Sequence, residues 1–215
     1  MPLFKEKKRF KVIVFDLGGV VFTNSLKQFI HSLSERYSLE PSRINEVINS
    51  GGAGTAYREN RITRNQFWEN VLKTLPFKES ADELEQEWIE GYHPMPGMKE
   101  LLADLAKKYK IYYLSDSVKE RVEALEAKYH FTSWFDGGLF SYEVGARKPS
   151  QKMYESIIQK AGVSPEAMFF IDDKASSLEP AKKMGMATIL FLSVDQLKKE
   201  LKKSTIEFRI KKESQ

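Results

Sequence analysis

The chain has 215 residues, 41% of them hydrophobic and 30% charged, and its 34 basic and 30 acidic residues leave a formal net charge of +4. This composition is typical of a globular protein rather than a disordered one, and so small a positive excess does not by itself indicate a nucleic-acid partner. The sequence contains 0 cysteines, which excludes disulfides, thiolate catalysis and a cysteine-based zinc site.

The N-terminal segment is charged but is not followed by the apolar region of a secretory signal. No apolar run approaches the length needed to span a membrane. We therefore expect a cytoplasmic protein without a membrane partner, long enough for one substantial domain with an insert or for two small domains.

The first predicted element is a strand over residues 12–15, four apolar residues that lead directly into Asp16. A short unbroken apolar run is typical of a strand buried on both faces. Asp16 is then expected at the C-terminal end of a central parallel strand, where open α/β sheets bind ligands. Gly18 and Gly19 allow a sharp turn and a close approach to a ligand. Taken alone, an ordinary strand-to-loop turn explains this stretch equally well.

Residues 24–91 carry helical patterns with no strand between them. Helices are predicted from Asn24 or Ser25, from Pro41, from Thr63 and around Trp88, whereas the composition of residues 50–55 predicts a loop. We expect a small helical cap domain over residues 24–91, inserted after the first strand. Residues 1–23 and 92–215 are then expected to form the main α/β domain.

Strand and helix patterns alternate after the insert. Strands are predicted at residues 111–114, 138–141, 168–171 and 188–192, with helices between them. Such alternation implies right-handed crossovers, so the predicted fold class is α/β with a doubly wound, mostly parallel sheet of Rossmann type.

The tail from Val194 is basic, and Lys198, Lys199, Lys202, Lys203, Lys211 and Lys212 resemble a nucleic-acid patch. Glu200, Glu207 and Glu213 interrupt the run. We interpret the tail as a solvated helix face with a frayed end, and we expect no nucleic-acid partner.

Polar residues follow the ends of three predicted strands, namely Asp16, Ser115 and the pair Asp172 and Asp173, and Lys148 lies in a loop before a predicted helix. In a doubly wound sheet, strand ends at one edge share a crevice. This set suits phosphoryl transfer, because aspartate is a capable nucleophile and a lysine and a hydroxyl stabilise phosphoryl oxygens. Carboxylates also suit a hard cation such as Mg²⁺.

These residues give the chain a resemblance to the haloacid dehalogenase (HAD) superfamily of hydrolases. Its four motifs are matched in order and in context, over nearly the whole chain, by residues 15–20, 114–116, 148–149 and 170–173. The group around bacterial alpha-D-glucose-1-phosphate phosphatase also carries the Gly-x-Arg-Lys-Pro of residues 145–149. The phosphatase domain of soluble epoxide hydrolases is a more distant likeness.

The resemblance implies a role for each matched residue. Asp16 attacks phosphorus and forms an aspartyl-phosphate, and Lys148 bridges Asp16 and the phosphate. Ser115 and the backbone N–H of Asp116 bind phosphate. The implied Mg²⁺ ligands are Asp16, the Gly18 carbonyl and Asp172, with Asp173 supporting the site or ordering its loop. The alternatives are that Ser115, Asp116 or Asp173 merely cap helices and that Lys148 is a surface lysine before a proline turn.

One position departs from the family pattern. Most family phosphatases carry a second aspartate two residues after the nucleophile, as general acid and base, but here that position is Gly18. Such help is typically worth about 10²–10⁴-fold in rate. The substrate then has a good leaving group, such as an anomeric phosphate, or another group substitutes, or the protein is slow or inactive.

The predicted cap is expected to choose the substrate. Tyr57 and Arg58 follow the glycine-rich stretch and are candidates to bind it, Arg58 through a second anionic group. A solvated helix start is the alternative for both residues.

The leading hypothesis is a Mg²⁺-dependent phosphatase acting on a small phosphorylated molecule, with an oligomeric state that the sequence does not indicate. The first alternative is a metal-independent 2-haloacid dehalogenase, although the Gly-Gly-Val of residues 18–20 replaces the Tyr-Gly-Thr usual in that group. The second alternative is a catalytically weak binding or regulatory protein, which Gly18 favours.

Overall fold

The structure, a computed structural model, describes residues 10–208. Five strands form one sheet in the order β3-β2-β1-β4-β5, and every adjacent pair is parallel. The strands are β1 (Val12–Phe15), β2 (Lys110–Ser115), β3 (Gly137–Phe140), β4 (Met168–Asp172) and β5 (Ala187–Leu190). In the register, Phe15 of β1 lies opposite Tyr113 of β2 and Ile171 of β4. The predicted fold class is confirmed, with β1 at the centre.

Helices occupy most of the remaining described chain. They are α1 (Ser25–Tyr37), α2 (Pro41–Asn45), α3 (Gly52–Arg58), α4 (Arg64–Thr74), α5 (Ala81–Glu90), α6 (Met98–Leu105), α7 (Lys119–Tyr129), α8 (Ser141–Val144), α9 (Gln151–Ala161), α10 (Ala175–Lys183) and α11 (Val194–Lys203). A π-helical turn, Glu46–Ser50, joins α2 to α3.

The sheet is covered on both faces because alternate side chains of a strand point in opposite directions. Ile13 and Phe15 belong to one buried cluster, with residues of α6, α7 and α11. Val12 and Val14 belong to a second buried cluster, with residues of α9 and α10. All four side chains of β1 are buried, as its unbroken apolar run predicts.

Helices α1 to α5 build a third apolar cluster, which includes Phe29, Leu33, Trp68 and Trp88. Asn24 caps α1 by accepting from the Lys27 N–H at 3.1 Å, as predicted. The division into domains at residues 24 and 91 stays a prediction.

The predicted loop over residues 50–55 is wrong, because α3 begins at Gly52. A Cβ atom at position 54 would lie 2.7 Å from both the backbone nitrogen and the backbone oxygen of Asn49. Gly54 therefore allows α3 to pack against the preceding π-helical turn. Gly54 thus allows a close contact between two helical elements, whereas the composition of residues 50–55 indicated a loop.

In the C-terminal segment, α11 buries Leu197 and Leu201 against the sheet and exposes Lys199, Lys202 and Lys203. The rest of the predicted basic tail, with Lys211, Lys212 and Glu213, lies outside the described residues, as does most of the charged N-terminal segment. Among residues 10–208, no helix combines the length and apolar content that crossing a membrane requires.

Candidate active site

Three strand ends bring polar side chains to one edge of the sheet. Asp16 follows β1, and Ser115 and Asp172 are the last residues of β2 and β4. All three are buried. The N–H of Asp16 donates to the Ile171 carbonyl at 2.8 Å, which extends the pairing of β1 with β4. The Asp16 and Asp172 carboxylates therefore come from adjacent strands, where the sequence places them.

Lys148 lies in the turn before α9 and directs its amine into this edge. Its Nζ atom lies 2.9 Å from Asp16 Oδ1 and 2.6 Å from Asp172 Oδ2, and it donates to the Leu114 carbonyl at 3.0 Å. The side chain is 5% exposed, so the alternative of a surface lysine is wrong. One ammonium group thus joins two carboxylates from different strands.

These charged groups shift one another's protonation. Burial raises the pKa of Asp16 above the usual range of a carboxyl group, an effect that Lys148 opposes and Asp172 adds to. Burial disfavours the charged form of Lys148, but Asp16 and Asp172 outweigh that effect and raise the pKa of its amine. Lys148 is therefore a cation. Further positive charge beside Asp16 would favour the ionised, nucleophilic form of the Asp16 carboxylate.

An acidic cluster of Asp16, Asp172 and Asp173 lies beside Lys148, with one carboxylate oxygen of each within 4.8 Å of the others. Asp173 Oδ1 is buried without a hydrogen-bond partner among residues 10–208. A divalent cation prefers such carboxylate oxygens, and it would satisfy the orphaned atom. The residues present therefore fit Mg²⁺.

Gly19 allows the Asp173 carboxylate to approach the loop after β1. Gly19 has a φ of +92°, and a Cβ atom there would lie 2.3 Å from Asp173 Oδ2. The same oxygen accepts from Asn24 Nδ2 at 3.4 Å. A side chain at position 19 would displace the Asp173 carboxylate.

The helix-capping alternatives for these loops are wrong. The N-cap of α7 is Val118, with no side-chain capping bond, so neither Ser115 nor Asp116 caps that helix. The N-cap of α10 is Lys174, again without a side-chain capping bond, so Asp173 does not cap that helix. The polar groups remain directed to the sheet edge.

The Asp116 carboxylate holds the turn that carries Lys148. Its Oδ1 accepts from the Lys148 backbone N–H at 3.0 Å, and its Oδ2 accepts from Arg147 Nε at 3.2 Å. Sequence reasoning assigned Asp116 a role through its backbone only and missed this one. The acidic residue after Ser115 and the adjacent Arg147 and Lys148 were the available signal.

Arg147 links this turn to the helical segment. Its guanidinium donates to the Asn49 carbonyl at 2.7 Å, to Asn49 Oδ1 at 3.1 Å and to Thr55 Oγ1 at 3.1 Å. Arg147 therefore binds residues on both sides of the space above the sheet. The Gly-x-Arg-Lys-Pro pattern of residues 145–149 includes Arg147 but does not indicate these partners, because they lie far away along the chain.

A cavity of about 270 Å³ opens between the sheet edge and the helices. We call Asp16, Ser115 and Lys148 its floor, and Arg58, Trp88 and Arg121 its roof; Gly18, Asp116 and Arg147 also line it.

The two predicted substrate-binding residues of the helical segment differ in position. Arg58 lines the cavity and is 3% exposed, and its Nη1 donates to the Ile48 and Gly54 carbonyls at 3.1 and 3.0 Å. Tyr57 is also buried, but it packs on Phe67 and donates its hydroxyl to Glu120 at 2.9 Å rather than lining the cavity. The alternative of a solvated helix start is wrong for both residues.

The roof of the cavity carries two positively charged side chains, Arg58 and Arg121. Burial, together with the positive charges of Arg147 and Arg121, lowers the pKa of Arg58 to about 9. Arg121, which sequence reasoning missed, places its guanidinium carbon 3.7 Å from the centre of the Trp88 ring. The helical spacing of α7 by itself indicates only a surface arginine at position 121.

Comparisons with known proteins agree with this geometry. The family model for haloacid dehalogenase-like hydrolases matches residues 10–185. D-ribitol-5-phosphate phosphatase from Bacteroides thetaiotaomicron is 22% identical over 186 residues, which are 83% of this chain and 90% of that protein.

Two solved structures share the fold. A predicted HAD-like hydrolase from Porphyromonas gingivalis aligns with a TM-score of 0.76 and 19% identity, over 93% of this chain and 99% of that one. A HAD-family enzyme from Bacteroides thetaiotaomicron, in complex with magnesium and inorganic phosphate, aligns with a TM-score of 0.69 and 22% identity, over 86% and 96%.

Proposed function

The chain belongs to the haloacid dehalogenase-like hydrolases, and we propose that within this family it is a Mg²⁺-dependent phosphatase of a small phosphomonoester. The observation that carries the proposal is the Lys148 amine between the carboxylates of Asp16 and Asp172, beside the orphaned oxygen of Asp173. The named phosphatase relative and the neighbour bound to magnesium and phosphate support it.

In the proposed reaction, a carboxylate oxygen of Asp16 attacks phosphorus while the ester P–O bond breaks and its electron pair leaves with the alcohol oxygen. Water then attacks phosphorus in the aspartyl-phosphate, the bond to Asp16 breaks, and phosphate leaves with the carboxylate restored. Lys148 and Ser115 hold the phosphoryl oxygens as charge develops on them, and the Asp116 N–H adds a third donor.

Asp16, the Gly18 carbonyl, Asp172 and Asp173 would hold Mg²⁺, which when bound supplies positive charge against the phosphoryl oxygens. Asp116 keeps Lys148 in place through the turn that it binds. The helices of residues 24–91 act in this proposal as a cap that excludes water and selects the substrate. We also propose a cytoplasmic location.

Gly18 leaves the departing oxygen without a side-chain acid, so the proposed substrate has a good leaving group, such as an anomeric sugar phosphate. We expect D-glucose 1-phosphate to be hydrolysed faster than D-glucose 6-phosphate. Equal kcat/KM values for the two esters would contradict this choice of leaving group but not the phosphatase activity.

The dehalogenase alternative has Asp16 attacking carbon and needs no metal. The acidic cluster argues against it, because three carboxylates within 4.8 Å of one another suit a cation better than an unassisted attack on carbon. The weak binding protein remains favoured only by Gly18.

One assay separates the three functions. Phosphate release from D-glucose 1-phosphate and p-nitrophenyl phosphate, and chloride release from 2-chloropropionate, are measured with Mg²⁺ or EDTA. We expect phosphate release that EDTA abolishes and that Asp16→Asn lowers by about 10⁴-fold or more.

Asp195→Asn is the matched control, because its side chain is 87% exposed on α11. Chloride release that persists in EDTA would favour the dehalogenase. No release of either ion would favour the binding protein.

A further inference from the structure

Arg121 is a buried cation without an anionic partner. Arg121 is only 2% exposed, yet it lines the cavity that contains Asp16 and Lys148. Arg121 Nε is buried with no hydrogen-bond acceptor, and within residues 10–208 neither a hydrogen bond nor an ion pair involves the rest of its guanidinium. Burying an unpaired charge is costly, so such a group points to a missing partner.

The acidic side chains on the neighbouring helices do not supply that partner. Glu85 of α5 pairs with Arg64, and its other carboxylate oxygen is itself buried without a partner, so it does not bond to Arg121. Glu120 accepts from the Tyr57 hydroxyl at 2.9 Å.

The other cations at the cavity differ from Arg121 in this respect. Lys148 lies between Asp16 and Asp172, and Arg147 pairs with Asp116 at 3.2 Å. Arg58 donates to two backbone carbonyls, which satisfy hydrogen bonds but do not neutralise its charge. Lys174 also lines the cavity but is exposed to solvent. The buried excess of positive charge in the cavity is therefore concentrated at the roof, on Arg58 and Arg121.

The face of Trp88 fixes where this charge lies. The guanidinium carbon of Arg121 is 3.7 Å from the centre of the Trp88 ring, and that of Arg58 is 5.5 Å from it. Stacking on an aromatic ring holds the guanidinium plane and leaves its N–H edge free to bind an anion.

We infer that the substrate carries a second anionic group, which Arg121 binds at the roof with Arg58 beside it while the phosphoryl group lies at the floor. This inference rests on the proposed phosphatase function and specifies its substrate class: a small phosphomonoester that also bears a carboxylate or a second phosphate. The cavity of about 270 Å³ restricts that molecule to metabolite size.

The test uses ligands that are not hydrolysed, so it does not depend on turnover. Phosphonoacetate, 3-phosphonopropionate and 4-phosphonobutyrate are compared by calorimetry, in Mg²⁺, with alkylphosphonates of the same chain length. A charge-assisted bond to a buried guanidinium predicts about 10- to 100-fold tighter binding of the carboxylated compound at the length that spans floor and roof. A parallel pair, D-glucose 1,6-bisphosphate and D-glucose 1-phosphate, tests phosphate as the second group; because these two are hydrolysable esters, they are compared on the Asp16→Asn variant, which lacks the nucleophile.

Arg121→Met removes the charge and keeps much of the volume, so it should abolish the preference of the carboxylated compound over the alkylphosphonate of the same chain length. Arg43→Met, at an exposed position of α2, is the control and should retain the preference. If Arg121→Met does not unfold cooperatively, Arg121→Lys takes its place and should reduce the preference several-fold.

Equal binding within every pair would overturn the inference and leave the phosphatase proposal standing, provided that the plain alkylphosphonates bind. A preference that survives in the Arg121 variants would overturn the role of Arg121. Failure of every phosphonate and phosphate to bind would contradict the proposed function and the inference together.

Discussion

The charged side chains at the floor of the cavity are paired with opposite charges, whereas those at the roof are not. At the floor, Asp16 and Lys148 form an ion pair 2.9 Å long, and Asp172 extends it. At the roof, Arg58 and Arg121 lie against Trp88 without a carboxylate. A paired charge is preorganised before the substrate arrives, whereas an unpaired one is neutralised only by a ligand. From this difference we infer that the floor carries out the reaction and that the roof selects the substrate.

The largest expected effect comes from breaking the floor. Lys148→Met leaves Asp16 and Asp172 without their shared cation, and losing one partner of a buried ion pair costs about 3–5 kcal/mol of unfolding free energy. The loss of an electrostatic contact to the phosphoryl group should lower kcat by about 10²–10³-fold. Urea unfolding and phosphate release measure the two effects.

Lys152→Met, at an exposed position of α9, is the control for this substitution and should change neither quantity. A Lys148→Met protein as stable as the parent would show that the floor is not a closed ion-pair network.

Adding a carboxylate to the floor tests whether the missing acid limits the rate. A Cβ atom at position 18 would meet nothing closer than Tyr92 Cε1, at 3.9 Å, so Gly18→Asp has room for its side chain. We expect kcat/KM for D-glucose 6-phosphate to rise by up to about 10²-fold, because general-acid help matters most for a poor leaving group.

D-glucose 1-phosphate, with its better leaving group, should gain less from Gly18→Asp. A gain of equal size for both esters would contradict the role assigned to the leaving group. Gly18→Ala provides the control for bulk without charge.

Removing the Arg147 contacts between the helical segment and the sheet edge should have a smaller effect on kcat/KM. Arg147→Met removes the bonds to Asn49 and Thr55 on the helical side and to Asp116 on the sheet side. We expect kcat/KM to fall by about tenfold, because each lost charge-assisted bond is worth about 1.5–3 kcal/mol but other contacts remain.

Asn49→Ala removes the acceptor Oδ1, together with the Nδ2 donor to Asn45, but keeps the Asn49 carbonyl that also binds Arg147. It should reproduce part of the Arg147→Met effect on kcat/KM. If both variants kept parental kinetics while losing stability, Arg147 would serve the fold alone.

The smallest effect is expected far from the cavity, at Glu79. Burial opposes its ionisation, but hydrogen bonds from Tyr37 and Arg36 outweigh burial and lower the pKa of Glu79 to about 2. A pKa lowered in the folded state stabilises the protein above the ordinary value of 4.5, and this stability is lost as the pH falls from there towards 2.

Glu79→Gln should therefore remove about 1 kcal/mol or less at pH 7, since the pair is partly exposed, and the difference from the parent should vanish near pH 2. Thermal unfolding at several pH values measures it. A change in kcat/KM at pH 7 would show that this surface is coupled to the cavity.

The sequence predicts the floor better than the roof. Apolar runs that end in polar residues indicate Asp16, Ser115 and Asp172, because parallel strands that end at one sheet edge bring such residues together. Local sequence cannot reveal Arg121, whose position depends on how α5 packs on α7. The loop predicted at residues 50–55 failed for a related reason, because Gly54 serves a helix contact that composition does not describe.

The turn that carries Arg147 and Lys148 has to satisfy two directions at adjacent positions. The amine at position 148 reaches down to Asp16, and the guanidinium at position 147 reaches across to Asn49. Inserting or deleting a single residue here would exchange their directions and break both sets of bonds at once. The length of this turn is thus constrained together with the chemistry of its two side chains, and loop-grafting between relatives has to preserve it.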